Sequence, residues 1–232
     1  ADAAGAQVVI LDVLRATSTI VTALAAGARE RRPTSQKAAR AARAQFPKPV
    51  ILAGEAQCLR PPDFDLGNSP REHVTEKVGG ATVLLATTNG TRAAVRARDA
   101  GAKALYAAAL LNASATAQAL LPRLDTCHTL LVCAGTNGQI SLEDVLGAGA
   151  ILFALLQNTY RTDLPFTDTA WIAYHAFTAV RMRLTAALKL GQGGINVINA
   201  GLEDDIDYCA RLDALPMPVM IDPTHLAAAR VC

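Results

Sequence analysis

The sequence predicts an α/β fold, and three observations lead to this prediction. Short apolar runs recur along the chain, helix-like stretches follow them, and hydrophobicity within the runs is continuous rather than alternating. Continuous hydrophobicity is typical of parallel strands that helices bury on both faces. The chain has 232 residues, 51% of them apolar, which is enough for a substantial core. We expect residues 1–232 to form one domain with a mostly helical C-terminal third.

Six apolar runs are the predicted strands, and in chain order they are VVIL, PVILA, TVLLA, ALYAAAL, TLLVCA and MPVMID. Helix signals lie between them in the segments TSTIVTALAAGARE, SATAQALL and SLEDVLGAGAILFALLQNTY. In the last segment Ser141 stands three residues before Asp144, close to a capping box with Asp in place of Glu or Gln. Helical periodicity dominates after Phe166. The Pro-rich segment RPPDFDLGNSP is predicted to be a loop, and such loops in compact domains are often functional.

Composition and charge argue against several classes of protein. The formal net charge is +2 and the basic residues are scattered, which argues against a nucleic-acid surface. The five cysteines include no CxxC pair, so we expect reduced thiols and a cytoplasmic location. The longest apolar run, VLGAGAILFALL, is well short of the roughly 20 residues of a membrane-spanning helix. We therefore expect neither a nucleic acid nor a membrane as partner.

Polar residues suited to phosphate or metal follow four of the predicted strands. They are Asp12 with Arg15, Glu55, the segment TTNGTR, and the segment GTNG with Glu143 and Asp144. The loops at the carboxyl ends of parallel strands share one edge of a sheet. We therefore expect these groups to converge on one cleft.

The segment TTNGTR, residues 87–92, has the pattern of a phosphate-binding turn. A Gly-containing turn that leads into a helix presents backbone N–H groups at the positive end of the helix dipole, and hydroxyls and Arg92 complete an anion site. The alternative is a tight Asn89-Gly90 turn with Thr91 as a helix N-cap. A second turn of this kind, GTNG, follows another strand and favours phosphate binding at both.

The acidic residues each have two interpretations. Asp12 at a strand end can hold Mg²⁺ or attack phosphorus, with Arg15 neutralising phosphate charge, or it can be the N-cap of the next helix. Glu55 can be an ordinary loop carboxylate. Glu143 and Asp144 can simply stabilise the dipole of a helix in its first turn. The residues alone leave these alternatives open.

Familiar catalytic signatures are absent from the sequence. It contains no GxxxxGKS/T, no GxGxxG after a strand, no GxSxG and no HExxH. Leu14 stands where an aspartate-nucleophile phosphatase of the DxD type needs its second acid. His73 and His175 are isolated, and a single histidine is more often an ordinary hydrogen-bonded or surface residue than a catalytic base.

Taken together, these residues resemble the 2-phosphosulfolactate phosphatase family. The matching segments are LDVLRATSTIVTALAAGA, LAGEA, FDLGNSPREH, LLATTNGTRAA, LLNASATA, LLVCAGTNGQISLEDVLGAGAI and GLEDDIDYCARLD. They run in the family's order from Val8 to about Asp222, so the resemblance covers nearly the whole chain.

The resemblance implies a three-layer α/β/α fold with a mixed, largely parallel sheet. It also implies a Mg²⁺-dependent phosphatase that converts (R)-2-phospho-3-sulfolactate to 3-sulfolactate and phosphate, a step in coenzyme M synthesis. The substrate would be the small anionic partner of the protein. The family's motif positions, by their numbers here, are Asp12, Arg15, Thr17, Glu55, Asp65, Asn68, Ser69, Thr88, Asn89, Thr91, Arg92, Glu143 and Asp144.

Residue patterns and resemblance together define the expected site. The expected catalytic residues are Asp12, Arg15 and Arg92. The expected Mg²⁺ ligands are drawn from Asp12, Glu55, Glu143 and Asp144. The expected contacts with substrate and phosphate are Thr17, Asn68, Ser69, Thr88, Asn89, Gly90, Thr91, Gly135 and Thr136.

Two departures from the family bear on the substrate. Ala56 stands where the family usually has Arg, and Asp63 where it usually has Gly. Because an Arg beside the cleft is absent, another small phospho-hydroxy acid remains an alternative substrate. A non-catalytic anion-binding protein is the alternative class, but Asp12 and Glu55 speak against it, because carboxylates do not help to bind an anion. An Ala-rich helix face in the C-terminal third can support a homodimer.

Overall fold

The computed structural model describes residues 3–159 and 164–231. The strands are β1 (Gln7–Leu11), β2 (Glu30–Thr34), β3 (Val50–Gly54), β4 (Thr82–Ala86), β5 (Ala104–Ala108), β6 (Thr129–Cys133), β7 (Val219–Asp222) and β8 (Ala227–Arg230). The helices are α1 (Ala16–Ala25), α2 (Gln36–Ala42), α3 (Thr75–Val78), α4 (Asn89–Asp99), α5 (Ala113–Leu120), α6 (Leu142–Thr159), α7 (Asp168–Val180), α8 (Leu184–Leu188), α9 (Gln192–Asn199) and α10 (Asp204–Cys209). The predicted end of the α6 segment, Tyr160, lies outside the described residues. Within the described ranges, no helix is long and apolar enough to span a bilayer.

The described strands form one mixed sheet in the order β3-β4-β2-β8-β7-β5-β1-β6. β1 pairs in parallel with β5 and β6, and β4 pairs in parallel with β2 and β3. The antiparallel hairpin of β7 and β8 separates these groups, because β7 pairs with β5 and β8 pairs with β2. The two parallel groups therefore run in opposite directions along the sheet. This corrects the expectation that all the strand ends share one edge.

The segments that follow β1 and β4 meet although five pairings separate the two strands in the sheet. The N–H of Gly90 at the start of α4 donates to the Asp12 carboxylate after β1 at 2.8 Å. The residues after these two strands therefore lie at one site.

Helices cover both faces of the sheet, which makes the sheet a central layer. On β1, Val9 and Leu11 pack toward α5 to α9, whereas Val8 and Ile10 pack toward α1 and α4. A smaller cluster joins α2 to β3 and β4 around Leu52. Both faces of β1 are therefore buried, and the predicted three-layer α/β/α architecture is confirmed.

Candidate active site

Asp12 connects the end of β1 to two helices. Its Oδ1 accepts the N–H of Ala16 at 3.2 Å, and its Oδ2 accepts the N–H of Gly90 at 2.8 Å. Its own N–H donates to the Thr17 hydroxyl at 3.1 Å. Asp12 thus accepts the first N–H of α1 and faces the start of α4, but it is not the helix N-cap, because Arg15 occupies that position.

Two further carboxylates lie near Asp12 in the first turn of α6. Asp144 accepts the N–H groups of Val13 at 2.8 Å and of Gly135 at 2.9 Å, which ties the end of β1 to the end of β6. Glu143 is buried, and its Oε2 has no hydrogen-bond partner among residues 3–159 and 164–231. Stabilisation of the helix dipole alone does not explain two acidic residues that are both withdrawn from solvent.

The carboxylates of this cluster repel one another. Burial is the main cause that raises the pKa of Asp12, Glu143 and Asp144. The charge of Asp12 further raises the pKa of the other two, and Glu55 raises the pKa of Asp12. Backbone N–H donors and the charge of Arg15 lower the pKa of Asp12 and offset part of this effect. Buried like charges are unfavourable unless a proton or a cation compensates them.

The segment TTNGTR forms the start of α4 rather than a tight turn. The helix begins at Asn89, directly after β4, with Thr88 at the N-cap position. This geometry is the one that the phosphate hypothesis requires, and it excludes Thr91 as the N-cap. The N–H of Gly90, which we expected to be free for phosphate, instead donates to Asp12.

A cavity of about 320 Å³ lies beside the start of α4. It is lined by Thr34, Ser35, Gln36, Glu55, Ala86, Thr87, Thr88, Thr91 and Arg92. Hydroxyl groups dominate its polar surface, and the exposed Arg92 is the basic residue of the lining. Glu55 joins the cavity to the carboxylate cluster, because it lines the cavity and its charge acts on Asp12.

The segment GTNG is a tight turn after β6. Asn137 and Gly138 both have left-handed φ values, 52° and 78°, and the N–H of Gln139 donates back to the Thr136 carbonyl at 2.9 Å. The N–H of Gly135 donates to Asp144, and the N–H of Thr136 donates to the Gln139 carbonyl. Phosphate binding by Gly135 and Thr136 stays a prediction, and in this conformation it cannot use these two N–H groups.

Arg15 is held inside the protein by three other segments. Its Nη1 donates to Asp205 Oδ2 at 2.6 Å, and its Nη2 donates to the Cys58 carbonyl at 2.6 Å. Asp205, in α10, also accepts the Ser69 hydroxyl at 2.6 Å. Contact between Arg15 and phosphate stays a prediction.

The DLGNSP loop packs behind this ion pair. Asn68 is buried, its carbonyl accepts the Thr19 hydroxyl at 2.8 Å, and its Oδ1 has no hydrogen-bond partner. Asp65 is exposed and accepts the N–H of Leu52 at 2.8 Å, which fastens the loop to β3. Substrate contact by Asn68 and Ser69 stays a prediction.

The two departures from the family pattern lie at exposed positions. Asp63 pairs with Arg40 at 2.6 Å on the surface, with its side chain half exposed. Ala56 directly follows Glu55, so the absence of Arg there leaves Arg92 as the basic residue lining the cavity. The Ala56 departure is therefore the one that bears on the substrate.

The carboxylates suit Mg²⁺ by chemistry, since this ion takes oxygen ligands. The Oε2 of buried Glu143 has no hydrogen-bond partner in the part of the chain that the structure describes. Among the described residues, no group of three or more His, Cys, Asp or Glu side chains is already arranged as a metal site. The oxygens of Asp12 and Asp144 each accept one backbone N–H and keep a lone pair for a cation.

Neighbouring thiols and histidines are poorer candidates for catalytic groups than the carboxylates. Burial and the charges of Asp144 and Glu143 raise the pKa of Cys133 to about 12, and burial also raises the pKa of Cys58. These thiols stay protonated near neutral pH and are poor nucleophiles. His175 is exposed and stacks on a tryptophan of α7.

Three groups of residues at the site were missed by sequence reasoning. Thr34, Ser35 and Gln36 line the cavity, but the strand before them carries no apolar run. Asp205 lies in an acidic segment that resembles a solvated helix surface. A Cβ at Gly193 would overlap the Glu143 carboxylate, and the glycine-rich segment GQGG was the available signal.

Comparison with known proteins shows the family to which the chain belongs. A family model described as 2-phosphosulpholactate phosphatase matches residues 1–222. A protein of Thermotoga petrophila named probable 2-phosphosulfolactate phosphatase is 41% identical over 205 residues, covering 88% of this chain and 84% of its own. A protein of Symbiobacterium thermophilum with the same name is 40% identical over 224 residues, covering 94% and 93%. One of Deinococcus radiodurans, also so named, is 41% identical over 209 residues, covering 88% and 82%.

The layered α/β fold, the buried carboxylates beside a helix start and these relatives define a phosphoric monoester hydrolase. Within that class, the chain belongs to the 2-phosphosulfolactate phosphatase family.

Proposed function

We propose that this phosphatase hydrolyses (R)-2-phospho-3-sulfolactate to 3-sulfolactate and phosphate, with Mg²⁺ as cofactor. The observation that carries the proposal is the contact between Asp12 and Gly90, which joins a carboxylate cluster to the start of α4. The names of the relatives supply the substrate. From the resemblance alone, we also propose that the reaction belongs to coenzyme M synthesis.

The cavity beside α4 is the proposed substrate site. Its volume of about 320 Å³ suits a three-carbon compound that carries phosphate, carboxylate and sulfonate groups. The positive end of the α4 dipole and the hydroxyls of Thr88 and Thr91 bind the phosphate in this proposal, and Arg92 donates two hydrogen bonds to it. Thr34 and Ser35 also line the cavity and are available for the other two anionic groups.

Asp12, Glu55, Glu143 and Asp144 are the proposed holders of Mg²⁺. When bound, the ion supplies positive charge that stabilises the transferring phosphoryl group. The carboxylates bind the ion, and their mutual repulsion is then compensated. Glu143 contributes the buried oxygen that lacks a hydrogen-bond partner within the described ranges. Arg15 holds a positive charge near Asp12 and limits repulsion in the cluster.

A second candidate substrate is another small phospho-hydroxy acid without a sulfonate. The specific observation in its favour is Ala56, which provides no cation beside the cavity where the family usually has one. A non-catalytic anion-binding role is not supported, because the chain belongs to a family of phosphatases.

Phosphate release from a panel of phosphorylated hydroxy acids tests the proposal. We expect the highest kcat/KM with (R)-2-phospho-3-sulfolactate, loss of activity in EDTA, and recovery on addition of Mg²⁺. A higher kcat/KM for a non-sulfonated compound would support the second candidate substrate. Full activity in EDTA would remove Mg²⁺ from the proposal.

A further inference from the structure

The buried ion pair between Arg15 and Asp205 links four distant segments behind the site. Arg15 follows β1, and Asp205 lies in α10, 190 residues later. The Cys58 carbonyl, in the loop after Glu55, accepts the second Nη of Arg15, and Ser69 of the DLGNSP loop donates to the second oxygen of Asp205. Each of these three side-chain bonds is 2.6 Å long.

The pair is withdrawn from solvent and fixed from several sides. The side chains of Arg15 and Asp205 are 2% and 1% exposed. In the same helix, Cys209 is buried, and both Ser18 of α1 and the charge of Arg15 act on the pKa of its thiol. Helix α10 is therefore attached through Asp205 to the residue that precedes α1, next to the turn that carries Asp12.

Stability alone does not account for this arrangement. A buried ion pair often contributes little net stability, because two charges have to be desolvated to form it. Its distinctive property is geometric, since the rigid planar fork of an arginine fixes the position of its charge. The charge of Arg15 acts on both Asp12 and Cys58, so its position matters to the carboxylate side of the site.

We propose that Asp205 is a positioning residue for the phosphatase reaction, which fixes the Arg15 guanidinium and keeps it from pairing directly with Asp12. Without the Asp205 charge, Arg15 is an uncompensated cation, and Asp12 is a carboxylate on which its charge already acts. A direct pair with Asp12 takes up the carboxylate that the proposed Mg²⁺ site needs. The inference rests on the proposed function for the identity of the substrate and for the role of Asp12.

A double-mutant cycle between Arg15 and Asp205 tests the inference. Asp205→Asn removes the charge with little change in size, and Arg15→Lys keeps the charge but loses the fork. We expect each single variant to lower kcat at least tenfold with a smaller change in KM. We expect the double variant to lie within about twofold of the worse single variant, because the two residues act as a unit.

Asp204→Asn is the matched control on the same helix. Asp204 pairs with Arg71 at the surface and its side chain is 72% exposed, so this variant should keep wild-type kinetics. Wild-type kcat in folded Asp205→Asn would overturn the positioning role. So would a double variant in which the two tenfold losses of kcat multiply to about a hundredfold, because the residues would then act independently. If Asp205→Asn does not fold, Asp205→Glu replaces it, because it retains the charge and moves it by one methylene group. We then expect kcat at least tenfold below the wild-type value, and wild-type kcat in Asp205→Glu would overturn the positioning role.

Two readouts separate this inference from the proposed substrate. The variants are compared on whichever phospho-acid the wild type hydrolyses best, so a different substrate contradicts the proposed function and leaves the cycle valid. Calorimetry with Mg²⁺ gives the second readout, which needs no turnover. We expect Asp205→Asn to weaken Mg²⁺ binding at least fivefold, because Arg15 then competes with the cation for Asp12, and Asp204→Asn to leave it unchanged. A wild type that binds no Mg²⁺ contradicts the proposed cofactor and leaves the kcat cycle valid. Equal Mg²⁺ affinity in both variants, with equal kcat, would contradict the inference.

Discussion

At the scale of single residues, the site is dominated by buried carboxylates with raised pKa values. Asp12, Glu143 and Asp144 are protonated in the folded protein at pH values where the unfolded chain has already ionised. The folded state then binds more protons than the unfolded state. The free energy of unfolding contributed by these groups therefore falls as pH rises from their ordinary pKa range, about 4, through the folded pKa values.

This linkage predicts a pH-dependent stability that Mg²⁺ opposes. In EDTA we expect a lower Tm at pH 8 than at pH 5, and a larger gain in Tm from Mg²⁺ at pH 8. Glu143→Gln removes one charge of the cluster, so its Tm at pH 8 in EDTA should exceed the wild-type value by at least about 2 °C. Calorimetry of wild type, Glu143→Gln and the exposed control Glu76→Gln measures how Tm changes with pH. If Tm of Glu143→Gln fell with pH as steeply as that of the wild type, Glu143 would be excluded from the charged cluster.

Arg92 is the cation that we expect to act on the phosphoryl group. Removal of such a preorganised donor costs about 2–4 kcal/mol of transition-state stabilisation, so Arg92→Ala should lower kcat/KM by roughly 30- to 1,000-fold. Arg96→Ala, an exposed position one turn later on α4, is the control and should retain activity. Steady-state kinetics of both variants provide the measurement, and unchanged kinetics in Arg92→Ala would place this residue outside the site.

At the scale of elements, the contact between α6 and α9 fixes Glu143. A Cβ at Gly193 would overlap the Glu143 carboxylate, and a Cβ at Gly191 would lie 3.0 Å from its Oε2. Gly193→Ala should therefore lower the free energy of unfolding by about 1–3 kcal/mol and lower kcat at least tenfold, because Glu143 has to move. Denaturant unfolding and kinetics measure these effects, with the exposed Gln192→Ala as control. Wild-type kcat in Gly193→Ala would show that the position of Glu143 is not critical.

The strands that carry apolar runs were predictable, and two described strands were not. β2 has the sequence ERRPT, which contains charged residues and a proline that disfavour a strand. Its neighbours β4 and β8 supply the pairing that its own side chains do not specify. β8 has the sequence AAAR, and alanine favours helices over strands. The cavity residues after β2 were missed for the same reason.

At the scale of the whole molecule, the site is assembled from residues that are far apart in sequence. The prediction that Asp12 meets TTNGTR was right, although its premise of a common sheet edge was wrong for β4. The contact between Asp12 and Gly90 spans 78 residues, and it forms although β1 and β4 run in opposite directions. The partner of Arg15 was not predictable, because no local pattern couples residues 190 positions apart. The single domain, the cytoplasmic location and the homodimer stay predictions.

Phosphate release by Asp12→Asn, measured beside wild type, most directly tests the assignment of the carboxylate cluster as the site of hydrolysis. The asparagine keeps one acceptor oxygen and loses the second, so a loss of about 1–3 kcal/mol in unfolding free energy is expected with the fold retained. The surface variant Asp99→Asn on α4 is the control. We predict at least a thousandfold lower turnover of (R)-2-phospho-3-sulfolactate in folded Asp12→Asn and wild-type turnover in Asp99→Asn. Turnover in Asp12→Asn equal to that of the wild type would contradict the assignment.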